Sequence, residues 1–297
     1  MLATRDRDRD RSRELDAELA GLDNLELAEP SRSRSRAARV WRAAWPKLAA
    51  AALGLALWQL VVWARWKPEY VLPGPSAVFA DLWTGLRDGS LLEALGITGR
   101  RALVGFALAI VVGLPLGAVV SQVRALRVAF GSLITGLQTM PSIAWFPLAI
   151  LLFQVSERAI LFVVVLGAAP AIANSLISGA DQVAPVLRRA GRVLGARGPR
   201  LWWHVVLPAS VPALLGGFKQ GWAFAWRSLM AGELLVIIAE RPSIGVRLQV
   251  AREFADAPAL LATMVVILAV GLLVDSVVFG AADRAVSRRW GLHEEPA

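Results

Sequence analysis

Long apolar runs recur along this chain, and they limit how it can fold more than any other feature. A helix rises about 1.5 Å per residue, so roughly 20 apolar residues cross a hydrocarbon core of roughly 30 Å. Six stretches meet this requirement, at approximately residues 47–66, 102–122, 129–153, 158–180, 209–238 and 258–281. Spanning backbone must satisfy its own polar groups, and the alternation typical of barrel strands is missing from these runs. The sequence therefore predicts an all-α, polytopic membrane protein with about six transmembrane helices.

The basic residues indicate how the spans are oriented. Residues 1–47 hold eleven Lys or Arg, the loop at 123–128 holds two, the loop at 181–208 holds five and the C-terminal tail holds three, and all four segments fall on one side of a six-span arrangement. On the other side, basic residues alternate with acidic ones. The positive-inside rule then predicts that both termini are cytoplasmic. The net charge of +9 is accordingly assigned to membrane orientation, and no nucleic-acid partner is expected.

The regions outside the spans are expected to differ in structure. Residues 1–44, rich in alternating Arg and Asp, are predicted to be a disordered basic cytoplasmic tail, either solvated or in contact with anionic lipid. Residues 45–290 form the predicted membrane domain, and 291–297 a short tail. Between the first two spans, Val78, Leu82 and Leu86 recur at helical spacing, which predicts an amphipathic helix on the outer face.

Several kinds of chemistry are excluded by residue content. The chain has no cysteine and two histidines, His204 and His293, which both lie outside the predicted spans. Disulfides, thiolate metal sites and buried histidine catalysis are therefore not expected. None of the three lysines lies in a phosphate-binding loop, so ATP hydrolysis on this chain is not expected either.

The cytoplasmic stretch at 181–208 is predicted to form two short helices with a sharp turn between them. Leu187, Ala190 and Leu194 share one helix face, and Gly195 is placed to end that helix with a positive φ. A second helix is predicted over residues 201–206, and Pro208 is predicted to occupy the first turn of the next span. This stretch either lies on the lipid headgroups, with Trp202 and Trp203 at the interface, or binds a partner.

The same stretch resembles the EAA loop of bacterial ATP-binding-cassette (ABC) importer permeases. That loop reads E-A-A, three residues, G, nine residues, I-x-L-P, and here Ala190, Gly191, Gly195 and residues 205–208 stand in register. The sequence departs from the pattern at Arg189, where the family has Glu, and at Gly191, where it has Ala. The segments VLPGPSAVFADLW, TMPSIAWFPLAILLF and WRSLMAGELLVII are similar to the branch that handles sulfonates, taurine and nitrate.

This resemblance covers about residues 45–290 and implies a type I ABC importer permease (MetI-like) fold in the bacterial inner membrane. It implies that the permease acts as a homodimer with two cytoplasmic ATPase subunits, which bind ATP and Mg, and an extracytoplasmic substrate-binding protein. The permease itself is expected to be non-catalytic and to hold no cofactor. The residues implied in ATPase coupling are Leu187, Arg189, Ala190, Gly191, Val193, Leu194, Gly195, Leu207 and Pro208.

Three charged residues interrupt the fifth apolar run, namely Lys219, Arg227 and Glu233. Each would cost at least about 2.5 kcal/mol facing lipid at the midplane, so each must face protein, water or another charge. We expect Arg227 to present its planar fork to an anionic group such as a sulfonate, with Lys219 and Glu233 also on the substrate pathway. The alternative is that Arg227 pairs with Asp275 or Glu233 while Lys219 extends to the interface.

Prolines 141 and 147 fall inside the third apolar run, where each removes a helix hydrogen bond. Broken helices at membrane depth are tolerated where they line a cavity or are buried in protein. Either the run is a kinked packing helix, or it supplies gate and pathway residues, for which the candidates are Met140, Ser142, Trp145 and Phe146. Small residues in the spans are expected to serve helix packing; they are Gly113, Gly117, Gly167 and Gly179.

The alternatives to an ATP-driven importer are an ion-coupled secondary transporter and a membrane scaffold. An ion-coupled secondary transporter would need acidic groups along the path and usually two repeated halves, and the spans hold only Glu233 and Asp275 as acidic residues. A membrane scaffold that recruits cytoplasmic proteins would use residues 181–208 but would leave Arg227 unexplained. The sequence therefore favours the transmembrane subunit of an importer for a small anionic solute.

Overall fold

A computed structural model describes residues 36–238 and 241–290, and these residues form helices without a β-strand. The helices are α1 (Arg36–Trp63), α2 (Pro75–Arg87), α3 (Ser90–Gln122), α4 (Arg124–Thr139), α5 (Phe146–Phe153), α6 (Glu157–Gln182), α7 (Pro185–Val193), α8 (Pro199–Ala209), α9 (Val211–Leu235), α10 (Ile244–Glu253) and α11 (Ala257–Trp290). The predicted all-α class is confirmed. The predicted tail at 291–297 and most of that at 1–44 lie outside the described residues.

Helix α1 forms a separate unit, because the chain divides into two compact parts after Ala64. This helix begins at Arg36, so residues 36–44, which the sequence assigned to a disordered tail, are helical. Pro46 lies inside it, and its apolar part, Leu48–Trp63, is shorter than the roughly 20 residues of a full span.

Three helices of the second unit, α3, α6 and α11, are long and apolar enough to cross a membrane. Two further predicted spans are bent pairs. Helix α4 meets the segment Ser142–Phe153 at 103°, and α8 meets α9 at 68°. The run at 129–153 is therefore broken, whereas the run at 209–238 consists almost entirely of the single helix α9, which the second bend joins to α8. The first break falls at Met140 and Pro141, both in extended conformation, which agrees with the break predicted from the prolines.

Helix α6 is the centre of the second unit and packs between α3 and α9, with most of its residues from 159 to 180 buried. Glycines allow the close approach on both sides. A Cβ at Gly113 or Gly117 of α3 would lie 2.7 Å from a carbonyl oxygen of α6. The predicted packing role of these two glycines, and that of Gly167 and Gly179 on α6, is confirmed.

Replacing Gly113 with Val should weaken the α3–α6 contact, because the new side chain meets the Ala169 carbonyl and the Ile172 side chain. Overpacking of this kind costs about 1–3 kcal/mol. The matched control is Gly96→Val on the same helix, where a Cβ meets nothing within 4 Å. Thermal denaturation in detergent should show a lower midpoint for Gly113→Val alone, and equal midpoints would contradict the packing role.

Helix α2 is the amphipathic helix predicted between the first two spans. Its Val78 is buried, and Asp81 accepts a hydrogen bond from Arg247 of α10 at 3.0 Å, which fastens the two helices together. At the start of α3, the backbone N–H of Ser90 donates to the Asp88 carboxylate at 2.9 Å, and this hydrogen bond lowers the pKa of Asp88.

Candidate functional site

The loop after α6 forms the two-helix elbow that the sequence predicts, which we define as residues 185–209. Helix α7 ends in a Schellman motif, since Ala196 N donates to Gly191 O at 2.9 Å and Gly195 N donates to Arg192 O at 3.0 Å. Gly195 has a φ of +88° and Gly198 a φ of +54°, so the chain reverses at positions that favour glycine. The predicted positive φ at Gly195 is confirmed.

The second arm of the elbow, α8, is anchored in the protein core. Trp202 and Val206 are buried against Leu176 and Ala180 of α6 and against Leu214 of α9. The Trp202 indole also donates to the Ser121 hydroxyl at 3.3 Å. Trp202 is thus a core residue, which disagrees with the alternative that places Trp202 and Trp203 at the lipid interface. Helix α8 is therefore packed against both α6 and α9.

The first arm, α7, contacts the second arm through Gly191, where a Cβ would lie 2.7 Å from Leu201 and 2.9 Å from Val205. The remaining apolar side chains of this arm are uncovered in the described part of the chain. Val193 and Leu194 are each 87% exposed, and Val186 and Leu187 are 67% and 48% exposed. Arg189 and Arg192 are also exposed. The arm therefore offers an apolar surface edged with positive charge.

The join between the elbow and α9 differs from the sequence reading in one detail. Pro208 was expected in the first turn of the next span, but Leu207 and Pro208 belong to α8, and Pro212 occupies the first turn of α9. Ser210 lies at the 68° bend between the two helices. Its hydroxyl donates to the Val206 carbonyl at 2.7 Å, so this polar group is satisfied inside the bend.

A cavity of about 330 Å³ lies where the broken segment after α4 passes α6 and α9. Volumes near this value are typical of small-molecule sites. Four of the residues proposed for the pathway line it together, namely Met140, Ser142, Trp145 and Arg227. The break predicted from Pro141 and the charge predicted in the fifth run therefore meet at one place.

Arg227 is exposed toward this cavity and has no ion-pair partner among the described residues. Its Nε donates to the Ala223 carbonyl at 3.2 Å, and its guanidinium lies 4.8 Å from the centre of the Phe224 ring. These contacts orient the side chain, and no hydrogen bond from another described residue reaches its terminal nitrogens. A permanently charged, oriented fork suits an acceptor-only anion.

The other three proposed pathway residues lie elsewhere. Phe146 is 1% exposed and belongs to the core, because it packs against Gly232 and does not face the cavity. Lys219 pairs with Asp275 of α11 at 3.1 Å, taking the partner that the sequence reading offered to Arg227. Glu233 is fully buried, away from the cavity.

Glu233 belongs to a charged cluster that the sequence analysis missed. Its carboxylate accepts from Arg101 at 3.0 Å, from Thr98 at 2.9 Å and from Gly245 N at 3.0 Å. Arg101 also bridges to Glu157 at 3.3 Å. The cluster joins α3, α6, α9 and α10. The signal in the sequence is Arg101, which stands directly before the apolar run at 102–122. Because the predicted span begins at residue 102, the sequence analysis places Arg101 in a loop.

These features match those of a known family. Residues 109–291 match the family described as binding-protein-dependent transport system inner membrane component, and the chain belongs to that family. It is a permease subunit of an ABC importer and a multi-pass protein of the inner membrane.

Individual relatives agree with this assignment. A probable ABC transporter permease protein of Brucella melitensis is 31% identical over 80% of this chain and 94% of its own length. The taurine transport system permease protein TauC of Escherichia coli is 27% identical over 79% and 88%. The fold is similar to a chain from inward-facing structures of the MetNI methionine ABC transporter, with a TM-score of 0.58, 18% identity and coverage of 66% and 95%.

Proposed function

We propose that this permease couples to two cytoplasmic ATPase subunits through the elbow and imports a small anionic solute, such as an aliphatic sulfonate or taurine, through the cavity beside Arg227. Two copies form the pathway, each supplying half. An extracytoplasmic binding protein delivers the solute, both termini are cytoplasmic, and ATP and Mg are held by the ATPase subunits with no cofactor on this chain.

The observation that carries this proposal is the construction of the elbow. The first arm, α7, leads into the exposed Val193 and Leu194, while the second arm, α8, is buried against α6 and α9. An exposed apolar surface of this kind favours a protein partner. Helix α9 also carries Arg227. Motion of a partner bound to the first arm would therefore pass through α8 to a helix that lines the cavity.

The nature of the solute rests on the charge of the cavity. Among the described residues that line the cavity, Arg227 is the one with a charge, and the relative from Escherichia coli is named for taurine, which carries a sulfonate. A guanidinium presents parallel donors to the oxygens of such a group. The break at residues 140–145 supplies the irregular backbone that is tolerated where it borders a cavity.

Uptake by proteoliposomes tests the proposal against its alternatives. The complete complex should accumulate a labelled sulfonate only with ATP, the ATPase subunits and the binding protein present. Uptake that persists without the ATPase but follows an ion gradient would support a secondary transporter instead. A complex that assembles yet transports nothing under any condition would support a scaffold.

Replacing Arg227 with Ala should lower sulfonate uptake about tenfold or more, since a hydrogen bond to a charged group is worth about 1.5–3 kcal/mol. Arg227→Lys keeps the charge but loses the fork, so it should be intermediate. Arg252→Ala, at an exposed position in the last turn of α10, is the matched control and should transport normally. Unchanged uptake by Arg227→Ala in an assembled complex would reject its pathway role.

A further inference from the structure

A second pocket, of about 480 Å³, lies between the elbow and the end of α11. One wall belongs to the bend where α8 meets α9, and the other belongs to the last turns of α11. The residues that matter below are Leu207 and Val211 on the first wall and Ala285, Val286, Arg289 and Trp290 on the second. Except for Arg289, this lining is apolar. The pocket therefore combines an apolar surface with a single positive charge.

The length of α11 gives the depth of this pocket in the membrane. The apolar run of the helix, residues 258–281, is about 36 Å long at about 1.5 Å per residue, which already exceeds a hydrocarbon core of roughly 30 Å. Residues 285–290 consequently lie at the depth of the lipid headgroups. Trp290, which is 41% exposed, is a residue type that is enriched at this depth.

The face of α11 that lines the pocket continues as an uncovered apolar surface toward the centre of the membrane. Val278, Ala285 and Arg289 are spaced at i, i+7 and i+11, so they share one face of the helix. Val278 is 54% exposed, and Leu268 and Leu272 of the same helix are also exposed. An acyl chain can therefore extend from the pocket along this helix.

The charge at the end of α11 favours an anion. Gly280–Trp290 contains Arg284, Arg288 and Arg289 but one acidic residue, Asp283. Asp283 is six positions before Arg289 and hence about 120° away around the helix. Arg289 is exposed and forms no ion pair with another described residue. Its guanidinium is thus available to the oxygens of a phosphate group.

We infer that this pocket binds an anionic phospholipid of the leaflet that surrounds the elbow. The lipid phosphate accepts hydrogen bonds from Arg289, and the start of the acyl chains lies against Val211 and Val286. Basic pockets between helices at the cytoplasmic surface suit such headgroups. Because Leu207 and Val211 belong to the α8–α9 bend, the bound lipid joins the elbow to α11. This inference goes beyond the proposed function and requires neither the ATPase nor the solute.

Native mass spectrometry of the full-length permease, released from detergent micelles, tests the inference. The protein is titrated with dioleoyl phosphatidylglycerol, which is anionic, or with dioleoyl phosphatidylcholine, which has the same acyl chains and no net charge. The first phosphatidylglycerol should bind about fivefold more tightly than the first phosphatidylcholine, as expected for one basic residue beside an anionic headgroup. Equal affinities for the two lipids overturn the inference.

Two variants with the same loss of charge separate the pocket from general surface attraction. Arg289→Gln should lose the preference for phosphatidylglycerol, whereas Arg288→Gln, at the neighbouring exposed position outside the lining, should keep most of it. Phosphatidylglycerol should also raise the thermal midpoint of the wild type by about 5 °C and leave that of Arg289→Gln unchanged. Equal effects of the two substitutions overturn the inference, because the lipid would then respond to net charge alone.

A third variant fills the pocket and keeps every charge. Ala285→Trp, at an exposed position of the lining, should fold like the wild type and bind phosphatidylglycerol severalfold more weakly. Unchanged binding by Ala285→Trp overturns the inference.

The alternative occupant is the chain that follows Trp290, since its sequence contains Glu294 and Glu295. If the wild type shows no lipid preference but Glu294→Gln/Glu295→Gln acquires one, these carboxylates occupy the site, and the inference is overturned. A preference of equal size in both proteins supports the lipid. None of these measurements involves ATP or solute, so their outcome is separable from that of the uptake experiment.

Discussion

Replacing both Val193 and Leu194 with Asp should abolish stable association with the ATPase subunit. Both side chains are 87% exposed on the elbow, and burying an apolar side chain of this size is worth about 1.5–3 kcal/mol. Losing two of them, and placing two carboxylates in the interface, should weaken association more than about 100-fold. Co-purification of the ATPase with the tagged permease measures the effect, and stimulated ATP hydrolysis should fall in parallel.

The control for this variant is Phe254→Asp, which follows α10 and is 80% exposed. In the proposed orientation, Phe254 lies at the outer end of the bundle, so its replacement should leave ATPase association intact. Normal co-purification of the ATPase with the Val193→Asp/Leu194→Asp variant would show that the elbow is not part of the coupling interface. Loss of association by Phe254→Asp instead would contradict the orientation.

The second large effect is expected at Arg101, the partner of the buried Glu233. The two side chains are 2% and 0% exposed, and removing one member of a buried pair leaves an uncompensated charge. Such a loss costs about 3–5 kcal/mol, so Arg101→Met should lower the thermal midpoint strongly and reduce the yield of folded protein. Thermal denaturation measures the midpoint, and size-exclusion chromatography measures the yield of folded protein.

The neighbouring Arg100 provides the matched control. It also contacts Glu157, at 3.1 Å, but its side chain is 57% exposed, and exposed pairs are worth about 0–1 kcal/mol. Arg100→Met should therefore denature close to the wild-type temperature. The double variant Arg101→Met/Glu233→Met should recover part of the loss, since no unpaired charge remains. Equal effects of Arg100→Met and Arg101→Met would contradict the buried pair.

The elbow and the break in the third run were predictable because their causes are local. Gly195 ends α7 through a backbone conformation that glycine favours, and the prolines at 141 and 147 interrupt a helix by their own chemistry. The packing role of Gly113 and Gly117 in α3 was also predictable, because glycine is the smallest residue and permits close approach of two helices. Each of these features depends on a few neighbouring residues, so the sequence alone indicates them.

The partners of the charged residues depend on packing between distant segments, and the sequence does not determine those contacts. Arg101 and Glu233 are 132 positions apart and meet only because α6 holds α3 and α9 together. The same applies to Lys219, whose partner is Asp275, and to Phe146, which packs into the core. The apolar runs placed Glu233, Lys219, Asp275 and Phe146 in spans and left Arg101 just outside one, but they gave no information on which helix each residue would face.

The most direct test of coupling through the elbow is site-specific cross-linking. Because the chain has no cysteine, Leu194→Cys introduces a single attachment point for a short photoactivated cross-linker without further changes. In the assembled, transporting complex, Leu194→Cys should be captured by the ATPase subunit, and Phe254→Cys should not. A complex that transports in an ATP-dependent manner but gives no adduct between Leu194→Cys and the ATPase would contradict the account.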